Sequence, residues 1–211
     1  MVRRLRGGIR PRDANALCAL RNHNGPCNQQ LDPGGRHALS CKIGGHVVRR
    51  HDRIVRWLAK WLQARTDADV LVEQVLPDPA DNDRLDVTYM VAGRRVWIDV
   101  AVVSVLSEDP RHTARRARTD GVAARDAEQR KRNRYRGLAT PFVVEIGGRP
   151  GDSARGVIAR MALDEGSGPS ADVAAAWQSL AAILQAETSE IEFLAAGWLP
   201  AERDLAVLWT P

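Results

Sequence analysis

The chain has 211 residues, of which 44% are hydrophobic, and this apolar content is enough to build one folded core. It contains no long apolar run, so we expect no membrane-spanning helix and no secretion signal. Three cysteines, an odd number, argue against a secreted disulfide framework. We therefore expect a protein of a reducing compartment, the cytosol or the nucleus, with no membrane partner.

Charge is strongly segregated along the chain behind a formal net charge of +5. Residues 1–65 carry 14 Lys/Arg against 3 Asp/Glu, residues 66–110 carry 3 against 10, and residues 111–136 carry 10 against 3. Basic blocks attract polyanions, whereas an acidic centre attracts metal ions. This pattern favours a nuclease over a passive DNA-binding protein, and the alternative is a set of solvated helix faces.

A cysteine-histidine set lies in a loop-rich stretch near the N-terminus, with Cys18, Cys27, His37 and Cys41 at the spacing C-x8-C-x9-H-x3-C. Three thiolates and one imidazole predict a closed tetrahedral Zn²⁺ site. The first two cysteines are further apart than in tight knuckles, so His23 competes with Cys18 for the fourth position. The alternative is three unrelated buried thiols and a surface histidine.

Hydrophobic periodicity then predicts the order helix, three strands, helix, strand, followed by further helices. The predicted elements are a basic amphipathic helix at 46–64, a strand at 70–76, a turn at 77–83, a hairpin from 84 to about 103, a helix at 113–136 weakened near Gly121, a strand at 141–146, a helix at 153–164, a linker at 166–170 and a helix at 171–186, with room for a short helix near 189–196. We expect three segments: a zinc knuckle-like segment at 1–45, a core at 46–165 and a helical extension at 166–211.

The hairpin is the most informative element. A two-residue turn at Ala92-Gly93 would pair Val91 with Arg94, and counting back places Asp86 opposite Asp99. Opposed like charges destabilise a sheet, so this pair predicts a hard divalent cation, Mg²⁺ or Mn²⁺. The alternative is two solvated acids. The opposite face is apolar and expected to be buried: Val87, Tyr89, Val91, Ile98 and Val100.

The predicted order is that of the restriction-endonuclease-like αβββαβ core, a mixed sheet flanked by helices. In that fold a lysine usually stands two residues after the second acid, and here Ala101 holds the position. We predict that Lys131 replaces it from the next helix, with Tyr135 on the same helical face; otherwise Lys131 is a solvated charge. Glu73 is either a third oxygen ligand or a surface residue.

The basic helix and the 111–136 block are predicted to bind phosphates without reading bases. On that helix, His51 is predicted to be buried and hydrogen-bonded, with a contact to the scissile phosphate as the alternative. The candidate phosphate ligands are Arg49, Arg50, Arg53, Arg56, Arg130 and Arg132.

These motifs, in this order and spacing, resemble the zinc-knuckle-to-endonuclease junction of site-specific non-LTR retrotransposons, whose C-terminal nuclease is of the PD-(D/E)xK superfamily. The blocks that match are Gly35–Cys41 with Gly44-Gly45 and Arg50-His51-Asp52, Arg84-Leu85-Asp86 with Asp99, and Lys131–Tyr135 before Pro141–Glu145. The chain departs from the family in two places: Leu85 stands where the family has proline, and the first two cysteines are not close together.

The resemblance implies that Asp86 and Asp99 bind the catalytic metal, that Lys131 and Tyr135 form the family's Lys-x3-Tyr pair, and that Cys27, His37 and Cys41 are knuckle ligands. It implies a nuclear enzyme that nicks double-stranded DNA so that a reverse transcriptase domain of the same polyprotein can prime, with element RNA as a further partner. No reverse transcriptase precedes the motifs, so we expect a fragment or a detached remnant. The alternatives are a degenerate nucleic-acid-binding module and a host nuclease such as a junction resolvase.

Overall fold

A computed structural model describes residues 16–32, 34–67, 69–76, 84–163 and 169–197. The predicted turn at 77–83, most of the predicted linker at 166–170 and the unassigned segment 198–211 lie outside the described residues. The elements in chain order are β1 (Arg21–Asn22), β2 (Gly25–Pro26), α1 (Arg36–Ser40), α2 (His46–Gln63), β3 (Leu71–Val75), β4 (Arg84–Val91), β5 (Arg94–Val103), α3 (Pro110–Arg118), α4 (Val122–Arg134), β6 (Thr140–Glu145), α5 (Asp152–Leu163) and α6 (Pro169–Ala195).

The chain divides into two compact units, one comprising Met1–Arg49 with Ala186–Pro211 and the other comprising Arg50–Gln185. The two boundaries fall within α2 and within α6. The prediction of three consecutive segments, 1–45, 46–165 and 166–211, therefore differs from this division at the C-terminal end, where the extension contributes residues to both units. Among the described helices, none is long and apolar enough to cross a membrane.

The larger unit is an α/β structure with a four-stranded mixed sheet flanked by helices. The strand order is β3-β4-β5-β6, with β3, β4 and β5 antiparallel and β6 parallel to β5. Val91 pairs with Arg94, and both turn residues have positive φ, 47° at Ala92 and 72° at Gly93. These dihedrals are those of a type I′ turn, so the predicted hairpin register is confirmed.

One face of the sheet carries the main hydrophobic core of this unit. As predicted, four alternating side chains of β4 and β5 are buried there against apolar side chains of α2, α5 and α6, and the predicted Val91 is partly buried. Trp177 packs on this core and stacks on Phe142 with ring centroids 6.3 Å apart. The core residues from the two central strands are Val87, Tyr89, Ile98 and Val100.

The predicted helix at 113–136 is two helices, α3 and α4, separated at Gly121. Gly121 has a φ of 72°, a conformation that L side chains rarely adopt and that interrupts a helix. Asp109 caps α3 by accepting a hydrogen bond from the Arg111 N–H at 2.8 Å. The buried Glu145 carboxylate accepts a hydrogen bond from the Ala124 N–H in the first turn of α4. Conversely, the two helices predicted after residue 170 are one helix, α6.

Candidate active site and cysteine-histidine cluster

Two carboxylates meet at the end of the β4-β5 ladder. The last backbone pair of this ladder is Val87 with Ile98, so Asp86 and Asp99 are the next residues beyond it. The Asp86 carboxylate turns toward β5 and accepts a hydrogen bond from the Val100 N–H at 2.6 Å. The two carboxyl groups are close enough for each to act on the pKa of the other through a side-chain hydrogen bond. The structure therefore brings together the acids that the hairpin register had predicted to be opposed.

Lys131 reaches this pair from α4. Its ammonium contacts the Asp99 carboxylate, and the two side chains are 22% and 8% exposed. Ala101, the residue in the usual lysine position, packs instead against Ala124 and Ala127 of α4. Small side chains on both elements allow the helix to lie close to β5, and that closeness brings Lys131 within reach of Asp99.

His51 also contacts this acid pair, a place that the sequence analysis offered only as its alternative, through the scissile phosphate. Its Nε2 lies 3.4 Å from the Asp86 carboxylate, and its Nδ1 lies 3.2 Å from Asp52. The prediction was a buried, hydrogen-bonded histidine: His51 is half-buried, with 31% of its side chain exposed, and its polar contacts are with Asp52 and with one of the two acids. Because α2 and β4 are separated by the whole of β3, periodicity alone does not reveal this pairing.

Asp86 thus contacts His51 and Asp99 contacts Lys131, and the pKa values of the two acids shift in opposite directions. Burial and the neighbouring Asp86 charge raise the pKa of Asp99 above its ordinary value, although Lys131 opposes the rise. Burial also acts to raise the pKa of Asp86, but the contact with His51 outweighs it and lowers that pKa. The Asp86 contact in turn raises the pKa of His51 to about 9. At neutral pH, His51 is therefore protonated and Asp99 is the acid that is harder to ionise.

Two further predicted residues have surroundings of their own. Glu73 is 70% exposed and its carboxylate lies 3.9 Å from Arg84, so of the two alternatives for this residue the structure favours the surface residue over the third oxygen ligand. Its φ of 52° departs from strand geometry. Tyr135 is buried in a small cluster with Leu85. Tyr135 therefore packs α4 against the sheet.

The predicted phosphate ligands divide into engaged and exposed residues. Arg50 is only 2% exposed, which corrects its assignment, because an enclosed guanidinium cannot meet a phosphate backbone. Arg49 contacts Glu187 at 3.2 Å and Glu190 at 2.6 Å. Arg132 donates to the buried Glu128 carboxylate at 3.1 Å and to Ser153 at 2.6 Å. Of the others, Arg53 is half-buried, and Arg56 and Arg130 are exposed.

In the smaller unit, the predicted cysteine-histidine set forms one cluster whose ligand atoms all lie within 4.8 Å of one another. The Sγ of Cys41 is 3.9 Å from that of Cys18 and 3.6 Å from that of Cys27, while the Cys27 Sγ is 3.3 Å from the His37 Nε2. A tetrahedral ion with Zn–S bonds of about 2.3 Å holds its sulfurs about 3.8 Å apart. The cluster could therefore hold a metal ion such as zinc.

Backbone pairing explains why the wide spacing of the first two cysteines is no obstacle. β1 and β2 form a short hairpin, and beyond it the Asn28 N–H donates to the Cys18 carbonyl and the Cys27 N–H to the Leu20 carbonyl. This pairing brings Cys18 beside Cys27. His23 lies in the turn of the hairpin and is exposed, so Cys18 is the fourth member.

Local contacts hold the second half of the cluster. The Asp32 carboxylate accepts hydrogen bonds from three backbone N–H groups at the start of α1, including that of His37 at 2.7 Å. His37 and Cys41 are then one helical turn apart. Burial raises the pKa of the Cys41 thiol and raises that of Cys18 to about 12. Buried thiols of this kind ionise only beside a compensating cation.

We predict that zinc analysis of the purified protein gives close to one ion per chain, because four ligands converge in one cluster. Cys18→Ser and Cys41→Ser should each lose most of that zinc. His23→Ala is the matched control and should retain it, because His23 is exposed outside the cluster. Full zinc content in Cys18→Ser together with loss of zinc in His23→Ala would show that His23, and not Cys18, is the fourth ligand.

We also predict a pH-dependent stability contribution from His51. Its pKa in the folded chain, about 9, lies above its ordinary 6.5. A raised pKa means that the stabilisation is complete below about pH 6.5 and is lost as the pH rises through about 9. Without added divalent metal, the free energy of unfolding should exceed that of His51→Gln by at most about 3 kcal/mol at low pH, less where solvent screens the pair.

The measurement is denaturant unfolding of both proteins across this pH range. His112→Gln, which replaces an exposed histidine of α3, is the matched control and should show no pH-dependent difference from the unaltered protein. A difference between His51→Gln and the unaltered protein that stays constant from pH 6 to 10 would show that the ion pair with Asp86 does not contribute.

No model of a known protein family matches this chain, and no curated protein matches its sequence significantly.

Proposed function

We propose that this chain is a metal-dependent DNA endonuclease with a restriction-endonuclease-like core and an N-terminal zinc knuckle. The observation that carries the proposal is the convergence of Asp86, Asp99 and Lys131 from three separate elements. In a chain with only three lysines, one of them is in contact with the second acid of an opposed carboxylate pair. A mixed sheet in which β6 runs parallel to β5 agrees with that core.

The residues present fit a hard divalent cation. Asp86 and Asp99 offer carboxylate oxygens, the donors that Mg²⁺ and Mn²⁺ prefer. Both carboxylates attract cations in the structure, since one acid contacts His51 and the other contacts Lys131. Such an ion supplies Lewis-acid polarisation of the scissile phosphate and a more acidic water.

The protein's own side chains have distinct roles in this proposal. Asp99 orients the Lys131 ammonium, which can then neutralise the charge that develops on a phosphate oxygen. His51 holds a proton at neutral pH and can deliver it to the leaving oxygen. Tyr135 positions α4 by packing. The reaction is hydrolysis of a phosphodiester in double-stranded DNA.

The biological setting follows the resemblance of the motifs. We propose that the nick serves target-primed reverse transcription by a non-LTR retrotransposon, with the reverse transcriptase and the element RNA as partners in the nucleus. The cluster of Cys18, Cys27, His37 and Cys41 is the proposed knuckle. An upstream reverse transcriptase reading frame would support this setting, whereas its absence from the gene would favour a host nuclease.

The deciding experiment is a nicking assay on supercoiled plasmid with Mg²⁺ or Mn²⁺. We expect conversion of supercoiled to open-circular DNA that stops when divalent metal is omitted. Binding without any nicking in either metal would overturn the enzymatic proposal. That outcome would favour the degenerate nucleic-acid-binding module, to which Ala101 in the usual lysine position points.

A further inference from the structure

We propose that the outer face of α3, formed by Arg111, Arg115 and Arg118, is a docking surface for the phosphate backbone of duplex DNA. The inference rests on the nuclease proposed above and names the surface that would hold its substrate. The helix carries four arginines and no acid, and none of its nine residues is buried. It therefore contributes no side chain to any core.

Polar contacts hold α3 on the protein in place of an apolar face. Thr113 accepts a hydrogen bond from the Ser107 N–H at 2.9 Å, and the Arg116 guanidinium donates to the Ser104 carbonyl at 3.4 Å. Thr113 and Arg116 are three residues apart and are the only two less exposed positions of the helix. Helical spacing then directs residues 111, 115 and 118 away from the protein.

Within the described structure, carboxylates balance only part of the positive charge of this outer face. Like charges three or four residues apart on a helix destabilise it. The helix dipole favours cations in the last turn, which accounts for Arg115 and Arg118 but not for Arg111 in the first turn. Arg111 has the local carboxylate of Asp109 and Arg115 lies 3.5 Å from Asp126, whereas Arg118 has no carboxylate partner among the described residues. A polyanion is the partner that would relieve the repulsion.

The dimensions of the face fit a nucleic-acid strand. Residues 111 to 118 cover about 10 Å along the helix axis at about 1.5 Å per residue. Phosphates of one DNA strand advance about 3.4 Å per base pair, so three arginines can follow about three successive phosphates. The helix comes directly after β5, the strand that carries Asp99, with only residues 104–109 between them. A short segment of chain therefore joins the helix that would bind the duplex to the strand that carries Asp99.

The experiment compares the salt dependence of binding to a labelled, mixed-sequence DNA duplex without added divalent metal. Each lost phosphate contact should reduce the slope of log affinity against log salt by about 0.9. Arg111→Gln/Arg118→Gln should reduce the slope by about two. Arg94→Gln/Arg160→Gln removes the same charge from exposed arginines outside α3 and should leave the slope unchanged. Arg111→Lys/Arg118→Lys should keep the slope, because it keeps the charge.

Nicking is measured on the same proteins, which separates this inference from the proposed function. A duplex slope that is unchanged in Arg111→Gln/Arg118→Gln while the unaltered protein nicks would overturn only the docking surface. A reduced slope in a protein that never nicks would overturn only the nuclease. A slope reduced for single-stranded RNA but not for duplex DNA would overturn duplex as the occupant. Equal losses in the α3 variant and the control would also overturn the inference, since net charge would then explain them.

Discussion

Asp86→Asn and Asp99→Asn should each abolish detectable nicking, a loss of at least about 1000-fold. Either change removes one of two adjacent carboxylates that would hold the metal, and a metal ion contributes several kcal/mol of transition-state stabilisation. Asparagine keeps the size of the side chain, and at position 86 its carbonyl oxygen can still accept the Val100 N–H. DNA binding should be retained or strengthened, because one negative charge facing the phosphates is gone.

The matched control is Glu73→Gln. Glu73 was a candidate for the same metal, and it lies on the strand next to β4, but its side chain points to solvent. We expect its nicking rate to stay within about twofold of the unaltered protein. Nicking by either aspartate variant at more than about a tenth of the normal rate would contradict the two-acid site. Loss of activity in Glu73→Gln would instead restore Glu73 as a ligand.

The acidic site could be predicted because its geometry is local. A two-residue turn fixes the register of a hairpin, and the register fixes which side chains are opposed. Ala92-Gly93 therefore located Asp86 and Asp99 near each other from a stretch of fewer than twenty residues. The same alternation predicted the apolar face, since a half-buried strand must place every second residue in the core.

Other features depend on contacts between residues far apart in the chain. The His51–Asp86 contact and the burial of Arg50 arise from the way α2 packs, which helical periodicity does not specify. Periodicity placed Arg50 on a polar side of the helix, but a long side chain near a domain core can be enclosed. Tertiary context also decided the helix boundaries: the carboxylates of Glu145 and Glu128 accept hydrogen bonds from backbone N–H groups at the starts of α4 and α5.

The cysteine-histidine cluster depends partly on local spacing and partly on contacts between residues further apart in the chain. The residue types and the His37–Cys41 spacing predicted a cluster that could hold a metal ion, because one helical turn is a local constraint. The choice between Cys18 and His23 depended on the β1-β2 hairpin, whose strands have only two residues each. So short a pairing leaves no periodic signal in the sequence.

Replacing Lys131 is expected to have the second large effect on the rate of nicking. Lys131→Ala should slow nicking by about 100-fold while DNA binding changes little, because Lys131 would act on charge that develops only in the transition state. The neighbouring Arg130→Ala is the matched control: it removes a positive charge from the same helix, but from an exposed side chain, and should reduce nicking by less than about threefold. The measurement is the single-turnover rate on supercoiled plasmid at saturating protein.

A second variant distinguishes a catalytic Lys131 from a Lys131 that only forms a structural ion pair with Asp99. If Lys131 and Asp99 formed only a structural ion pair and neither residue acted on the metal or the substrate, Lys131→Ala combined with Asp99→Asn would recover activity, because neither charge would then be left alone. If both residues act in catalysis, the double variant should be as inactive as Asp99→Asn. Moving the lysine back to the usual position should not rescue it, since Ala101 is packed against the alanines of α4 and has no room for a longer side chain. Full nicking by Lys131→Ala would mean that α4 approaches β5 for packing alone and that Lys131 has no part in catalysis.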